Sequence, residues 1–183
     1  MMATLIPPTP KERRAFRLNA LALLVAVPLA VAVGSYEDVM EWRSAQELNA
    51  IVAAPNKSAI YAGAEWRMER VHRLNEPGSA ALVVIVEFEA TVKDPAAFAA
   101  ACNVALTNAS KRRWKPQLLT PSIGRRVRPE AAERPRCGSA SLKPVKAGDT
   151  IKMAESFLTP PDIGDIDLIV SLSTARPTYL VLD

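Results

Sequence analysis

The sequence predicts a mainly β chain, a β-sandwich preceded by one N-terminal transmembrane helix, and three observations carry that prediction. Leu18 to Tyr36 is a run of nineteen residues without a charge, with Lys11, Arg13, Arg14 and Arg17 immediately before it. From Gly63 onward, short apolar runs are interrupted by turn residues about every ten positions. Both cysteines, Cys102 and Cys137, lie well beyond the apolar run.

As a helix, the uncharged run reaches roughly 28 Å, close to the thickness of a bilayer's hydrocarbon core. The basic cluster then holds residues 1–17 in the cytoplasm by the positive-inside rule, makes 18–36 the anchor and places Glu37 onward outside. Ala30-Val31-Ala32 carries the small-x-small pattern of a cleaved signal peptide, the competing reading. Against cleavage stand the long, proline-containing segment before the run and the apolar residues that continue past the cut. Pro28 is compatible with either, since a membrane helix tolerates proline at the cost of a kink.

Residues 37–62 read as a juxtamembrane helix and linker. Ser35 followed by Asp38 is a capping pattern, and Glu37, Asp38 and Glu41 suit the positive end of a helix running toward Ile51. Pro55, Asn56 and Lys57 mark the connector to the main domain, 63–183. There, Trp66, Met68 and Arg70 alternate with Arg67, Glu69 and Val71, and Asn75-Glu76-Pro77-Gly78 supplies a turn. Ala81 to Val92 is the strongest strand signal, continuously apolar at first and alternating afterward, which predicts two buried faces and then one wet face. Further strands are expected near Cys102 to Leu106, Thr150 to Phe157, Asp167 to Ser173 and Thr178 to Leu182, with breaks at Gly148-Asp149 and Pro160-Pro161. Seven or so short strands make a sandwich.

Charge narrows the partner class. The formal charge is +4, from 23 Lys and Arg against 19 Asp and Glu, but residues 1–17 hold four of those bases and one of those acids. The remainder, 19 against 18, is nearly neutral, so the chain has no global field for nucleic acid. Cys102 and Cys137 are expected to form a structural disulfide; an oxidising compartment permits it, and no Cys-x-x-Cys pattern points to redox chemistry. Closing that loop stabilises by roughly 3 to 4 kcal/mol on the chain-entropy model.

Between the cysteines the bases concentrate. Lys111, Arg112, Arg113, Trp114, Lys115, Arg125, Arg126 and Arg128 are the candidate partner-binding residues, since Arg forks grip carboxylates and phosphates in pairs. Anionic lipid, an acidic envelope polymer or the acidic face of a membrane protein would suit them. The alternative is a solvated long loop that masks a sheet edge, with Trp114 turned to the core. No catalytic set is found: His72 is the sole histidine, and Asp162, Asp165 and Asp167 lack a calcium-loop pattern. The chain has no phosphate loop or nucleophile elbow, so no enzyme activity, cofactor or metal is expected. The sequons at Asn56-Lys57-Ser58 and Asn108-Ala109-Ser110 matter only in a glycosylating pathway.

Trp66, the Leu82 to Val86 run, Cys102-Asn103-Val104-Ala105-Leu106, Trp114-Lys115-Pro116, Cys137, Ala147-Gly148-Asp149, Leu168-Ile169-Val170 and Pro177-Thr178-Tyr179-Leu180 fall in an order of their own. That order resembles bacterial membrane-anchored or secreted immunoglobulin-like domains related to the immunoprotective extracellular antigens of actinobacteria. The resemblance implies an immunoglobulin-like sandwich outside the cytoplasm and brings no catalytic residues. The expected function is a non-enzymatic, membrane-anchored interaction protein, an accessory subunit of a larger membrane complex with an integral membrane partner. A ligand-binding or carrier domain, released by cleavage, is the alternative.

Overall fold

The protein is described here by a computed structural model covering residues 10–75, 78–118 and 120–183. It divides into two compact units, 1–43 and 44–183. In the first, α1 (Pro10–Gly34) is a 25-residue helix with Pro28 inside it. Its segment Arg13–Gly34 is long and apolar enough to cross a membrane, and none of it is buried. Leu21, Leu24 and Val33 are about as exposed as Phe16 at its start, so the apolar surface runs all round the helix. Arg13, Arg14 and Arg17 sit on the first turns of the same helix. A second helix, α2 (Tyr36–Ala45), follows, its Val39 N–H donating to the Ser35 carbonyl at 2.9 Å.

The helix expected to continue toward Ile51 ends at Ala45, and the stretch read as linker contains two strands: β1 (Asn49–Val52) and β2 (Ala59–Tyr61). Neither has the length or alternation that marks a strand locally. All four residues of β1 are exposed, and its hydrogen-bonding partner is the last strand of the chain. There follow β3 (Ala64–Asn75), β4 (Leu82–Val92), α3 (Pro95–Phe98), β5 (Cys102–Asn108), β6 (Arg113–Trp114), α4 (Ser122–Val127), α5 (Pro129–Glu133), α6 (Cys137–Ala140), β7 (Thr150–Thr159), β8 (Ile166–Leu172) and β9 (Thr178–Leu182). The turn expected at 75–78 lies partly outside the described residues.

The strands form two sheets, β1-β9-β8-β5-β6 and β2-β3-β4-β7, and together these make a β-sandwich. Only β1 and β9 run parallel among the described pairs. One face of each sheet meets in a common core: Trp66, Val84, Val86, Phe88 and Met153 from one, Val104, Leu106, Leu168, Val170 and Leu180 from the other. Trp66 lies 5.8 Å from Phe98 and 6.4 Å from Phe88, centroid to centroid, and its indole N–H donates to the Tyr61 carbonyl. Tyr61 ties the sheets directly, its hydroxyl accepting from Leu172 N–H at 3.0 Å and donating to the Thr178 carbonyl at 2.9 Å.

Two details of the sequence pattern find their causes here. The alternation along β3 is imperfect because the register shifts between Met68 and Arg70, so Val71, not Arg70, shares the inner face with Trp66 and Met68. The doubly apolar start of β4 reflects a second layer: Val83 and Ile85 pack outward against Ile123, Ala131 and Ala154 under α4 and α5. Gly124 permits that approach, since a Cβ there would stand 2.9 Å from Ile85 Cδ1.

The β2–β3 hairpin turns on Ala62 (φ 46°) and Gly63 (φ 75°), the pair of positive angles of a two-residue primed turn. Gly63 also accepts from the N–H groups of Lys93 and Asp94, and a Cβ on it would lie 2.5 Å from the Asp94 carbonyl. Gly63→Ala is therefore expected to cost more than about 1 kcal/mol through backbone strain and collision together. Urea unfolding followed by circular dichroism checks this; unchanged stability would count against the turn geometry.

Candidate functional site

The interval between the cysteines is a folded strap of short helices rather than one long solvated loop. Prolines start it: Pro121 precedes α4 and Pro129 occupies the first turn of α5, where a missing N–H costs nothing. Its end is fixed by Glu155, a carboxylate on β7 that is almost wholly buried. Glu155 Oε1 accepts from Cys137 N–H at 3.1 Å, while Oε2 accepts from Arg136 Nε at 2.9 Å and pairs with its other nitrogen at the same distance. Cys137, thus placed, bonds to Cys102 on β5 with a Cα–Cα separation of 5.6 Å. The expected disulfide is present. Burial pushes the Glu155 carboxyl above the usual range, and the charge and hydrogen bonds of Arg136 and the Cys137 amide only partly offset it.

Beside this strap the structure opens a cleft of about 710 Å³. Cys102, Asn103, Val104 and Ala105, four consecutive residues, all line it. Consecutive strand residues point to opposite faces, so this wall is the edge of β5 and not either face. The edge is open because β6 pairs only with Leu106 and Thr107, after which Lys115 and Pro116 lead away and Gln117 N–H donates to Ser156 on β7. Four bases line the cleft, Arg113, Lys115, Arg136 and Arg176, against two acids, Glu47 and Glu155. Each acid is already engaged by a lining base, Arg113 to Glu47 at 2.7 Å and Arg136 to Glu155 at 2.9 Å.

The structure divides the basic candidates between two places. Lys111 to Lys115 lie around β6 at the end of the first sheet, Lys111 with φ 58° and Arg112 stacked 5.8 Å over the Trp114 ring. Trp114 packs against the core, as the simpler reading of it expected. Arg113 lies over the Tyr179 ring as well as against Glu47, and Lys115 reaches the cleft. Arg125, Arg126 and Arg128 instead stand exposed on α4 and its C-terminal end, outside the second sheet. Sequence reasoning passed over Glu47, Glu155 and Arg176 and counted Arg136 only as one more base of the interval between the cysteines; only the assembled strands bring these distant positions together.

A second polar cluster covers the outer face of the second sheet. Arg134 clamps Glu69 at 2.7 Å and Glu87 at 2.9 Å, Lys152 reaches Glu69, and His72 Nε2 meets Glu87 at 2.7 Å. His72 is thus part of a polar network on the outer face of the sheet, in hydrogen-bond contact with Glu87. Although burial alone raises Glu69, Arg134 and Lys152 outweigh it and hold the carboxyl below the usual range. Asp167 is pushed up by burial and by the nearby charges of Asp183 and Asp165. Among the described residues no group of three or more His, Cys, Asp or Glu stands close enough together to hold a metal ion.

No protein-family model matches the chain, and no curated protein does. Two solved structures are similar to it. One is a conserved hypothetical protein from Bacillus anthracis, at 13% identity and a TM-score of 0.45 over 69% of this chain and 93% of that one. The other is named a "putative lipoprotein" from Staphylococcus aureus subsp. aureus NCTC 8325, at 13% identity and a TM-score of 0.45 over 70% of this chain and 88% of that one.

Two measurements probe these networks. Glu155→Ala strips the Cys137 amide and Arg136 of their acceptor and is expected to lower stability by about 2 to 4 kcal/mol at neutral pH. A loss under ~0.5 kcal/mol in equilibrium unfolding would refute that role. Glu69, with its lowered pKa, contributes stability that is present at neutral pH and lost as pH falls through its folded value. Arg134→Ala should cost about 1 to 3 kcal/mol near pH 7, and the unfolding free energies of variant and parent should converge below about pH 3.

Proposed function

We propose that the chain is a non-enzymatic, single-pass membrane protein that keeps residues 1–17 in the cytoplasm and displays an immunoglobulin-like interaction domain outside, as an accessory subunit of a larger membrane complex. The observation that carries the reading is α1. Its apolar surface is exposed all round, the bases Arg13, Arg14 and Arg17 are confined to its first turns, and its last turn has none. A basic start and an uncharged remainder orient a span by the positive-inside rule. The disulfide agrees with that orientation, since such bonds persist in oxidising compartments.

Topology supports the immunoglobulin-like assignment. The chain crosses between sheets from β4 to β5 and again from β7 to β8, and β8 and β9 form a hairpin beside β5, as in Greek-key sandwiches. One departure stands out: the disulfide joins β5 to the strap helix α6, not two facing strands. An integral membrane partner is supported by the exposed Ala20, Ala22, Ala26, Ala30 and Ala32, small enough for close helix approach. Arg125, Arg126 and Arg128 offer exposed charge to an acidic face of that partner or to anionic lipid. A ligand-binding or carrier role has one observation in its favour, the cleft beside β5.

The test combines topology with company. An alkaline phosphatase fused after Asp183 should be active in a bacterial host, and the protein should stay in carbonate-washed membranes with its intact mass. A product beginning just after Ala32 would replace the anchor by a cleaved signal. Purification in mild detergent should bring down an integral membrane protein in stoichiometric amount, and isolation alone would refute the accessory role.

A further inference from the structure

We infer that the outer edge of β1 is where two copies of the chain join, their β1 strands pairing antiparallel about a two-fold axis at Ile51 so that the two first sheets become one. The contact goes beyond the membrane reading and does not rest on it. Backbone geometry carries the first half of the argument. β1 ends the strand order of the first sheet, and among the described residues only β9 pairs with it. Asn49 N–H donates to the Pro177 carbonyl at 3.1 Å and Ala53 N–H to the Val181 carbonyl at 2.9 Å, so Asn49, Ile51 and Ala53 turn their main-chain groups to β9. Successive strand residues turn theirs to opposite edges, which leaves the amides and carbonyls of Ala50 and Val52 facing outward.

Those two free residues stand symmetrically about Ile51. A two-fold axis there sets Ala50 of each copy against Val52 of the other, and each such pair exchanges both its N–H···O bonds, so no main-chain group of the free edge is left over. The two Ile51 residues then face each other as a non-hydrogen-bonded pair, the arrangement that brings side chains closest. Side chains keep their sides of the sheet: the outer row Ala105, Ile169, Val181 and Val52, each registered with the next, continues into Ala50 of the second copy. A slip of one residue would set the free groups against groups already bonded to β9 and reverse every face.

Composition supplies the second half, the reason that the occupant is a second copy. Residues 46–55 hold one charge, Glu47, and Arg113 pairs with it at 2.7 Å, so the edge neither repels its own image nor offers a charge to an ionic segment. Sheet edges that stay single are guarded by lysine, proline or a bulge, and β1 has none of these. Instead Val52 is 70% exposed and Ile51 38%, and the pairing covers both.

Cysteine cross-linking of the full chain in mild detergent tests the register, the native cysteines being already joined to each other. Ile51→Cys is expected to give a disulfide-linked dimer under copper-phenanthroline oxidation, since the facing residues of such a pair lie about 4.5 Å apart, within reach of a disulfide. Asn49→Cys, on the same side of the strand but roughly 14 Å from its image, should cross-link at least about tenfold more slowly. Sedimentation of the unmodified chain should show a dimer that dissociates on dilution, and Val52→Lys, a charge at an exposed position of the edge, should weaken it by about tenfold or more with the unfolding midpoint unchanged. A monomer at every concentration up to about 100 µM, a dimer indifferent to Val52→Lys, or equal cross-linking through position 49 would overturn the proposal. None of these readings depends on cleavage of the span or on a co-purifying partner, so the failure of either proposal is recognisable by itself.

Discussion

The domain depends on one buried carboxylate. Glu155 sits on the inner side of β7, where the register pairs it with Val86, a position that an apolar residue would fill in an ordinary sandwich. Its charge is costly there, as the raised pKa records, and three donors from the strap offset that cost. In return it fixes Arg136 and Cys137, and through Cys137 the disulfide to β5. A side chain from the second sheet thereby determines where the cross-link enters the first. The strap is held at its end by a charge and a covalent bond, and in its middle by Ile123 and Ala131 lying over β4.

That arrangement separates what was legible in the sequence from what was not. The strand Ala81 to Val92 announced a first half buried on both faces and a second half with one wetter face, because apolar continuity and alternation are local patterns and α4 and α5 do cover Val83 and Ile85. Thr178 to Leu182 was read to the residue, and the strands near Cys102, Thr150 and Asp167 to within a few positions. Missed were β1 and β2, edge strands whose stability comes from partners far along the chain: Asn49 against Thr178, and Tyr61 bonded to both Leu172 and Thr178. No local window contains such a partner. The short helices of the strap were likewise hidden, since each is under two turns long and is set by proline and tertiary contact rather than by periodicity.

The arginines show the same division in electrostatic terms. Composition marked the interval 111–136 as basic, and a basic interval with few local acids reads as a surface seeking an external partner. In the fold, Arg113, Arg134 and Arg136 find their acids on strands and segments distant in sequence, at Glu47, Glu69, Glu87 and Glu155. Much of the apparent excess is thus internal structure. Local charge density is a poor guide to free charge wherever a strap lies across sheets whose acids come from other parts of the chain.

What remains positive is correspondingly more informative. Lys115 is left exposed at the point where the chain departs from β5, and Arg125, Arg126 and Arg128 are left on the outer helix. Lys115 cannot draw on Glu47 or Glu155, which line the same cleft, because these are already committed to Arg113 and Arg136. Exposed as they are, Lys115, Arg125, Arg126 and Arg128 are hydrated and screened by salt, so their charge acts on the surroundings within about a Debye length, ~8 Å at physiological ionic strength.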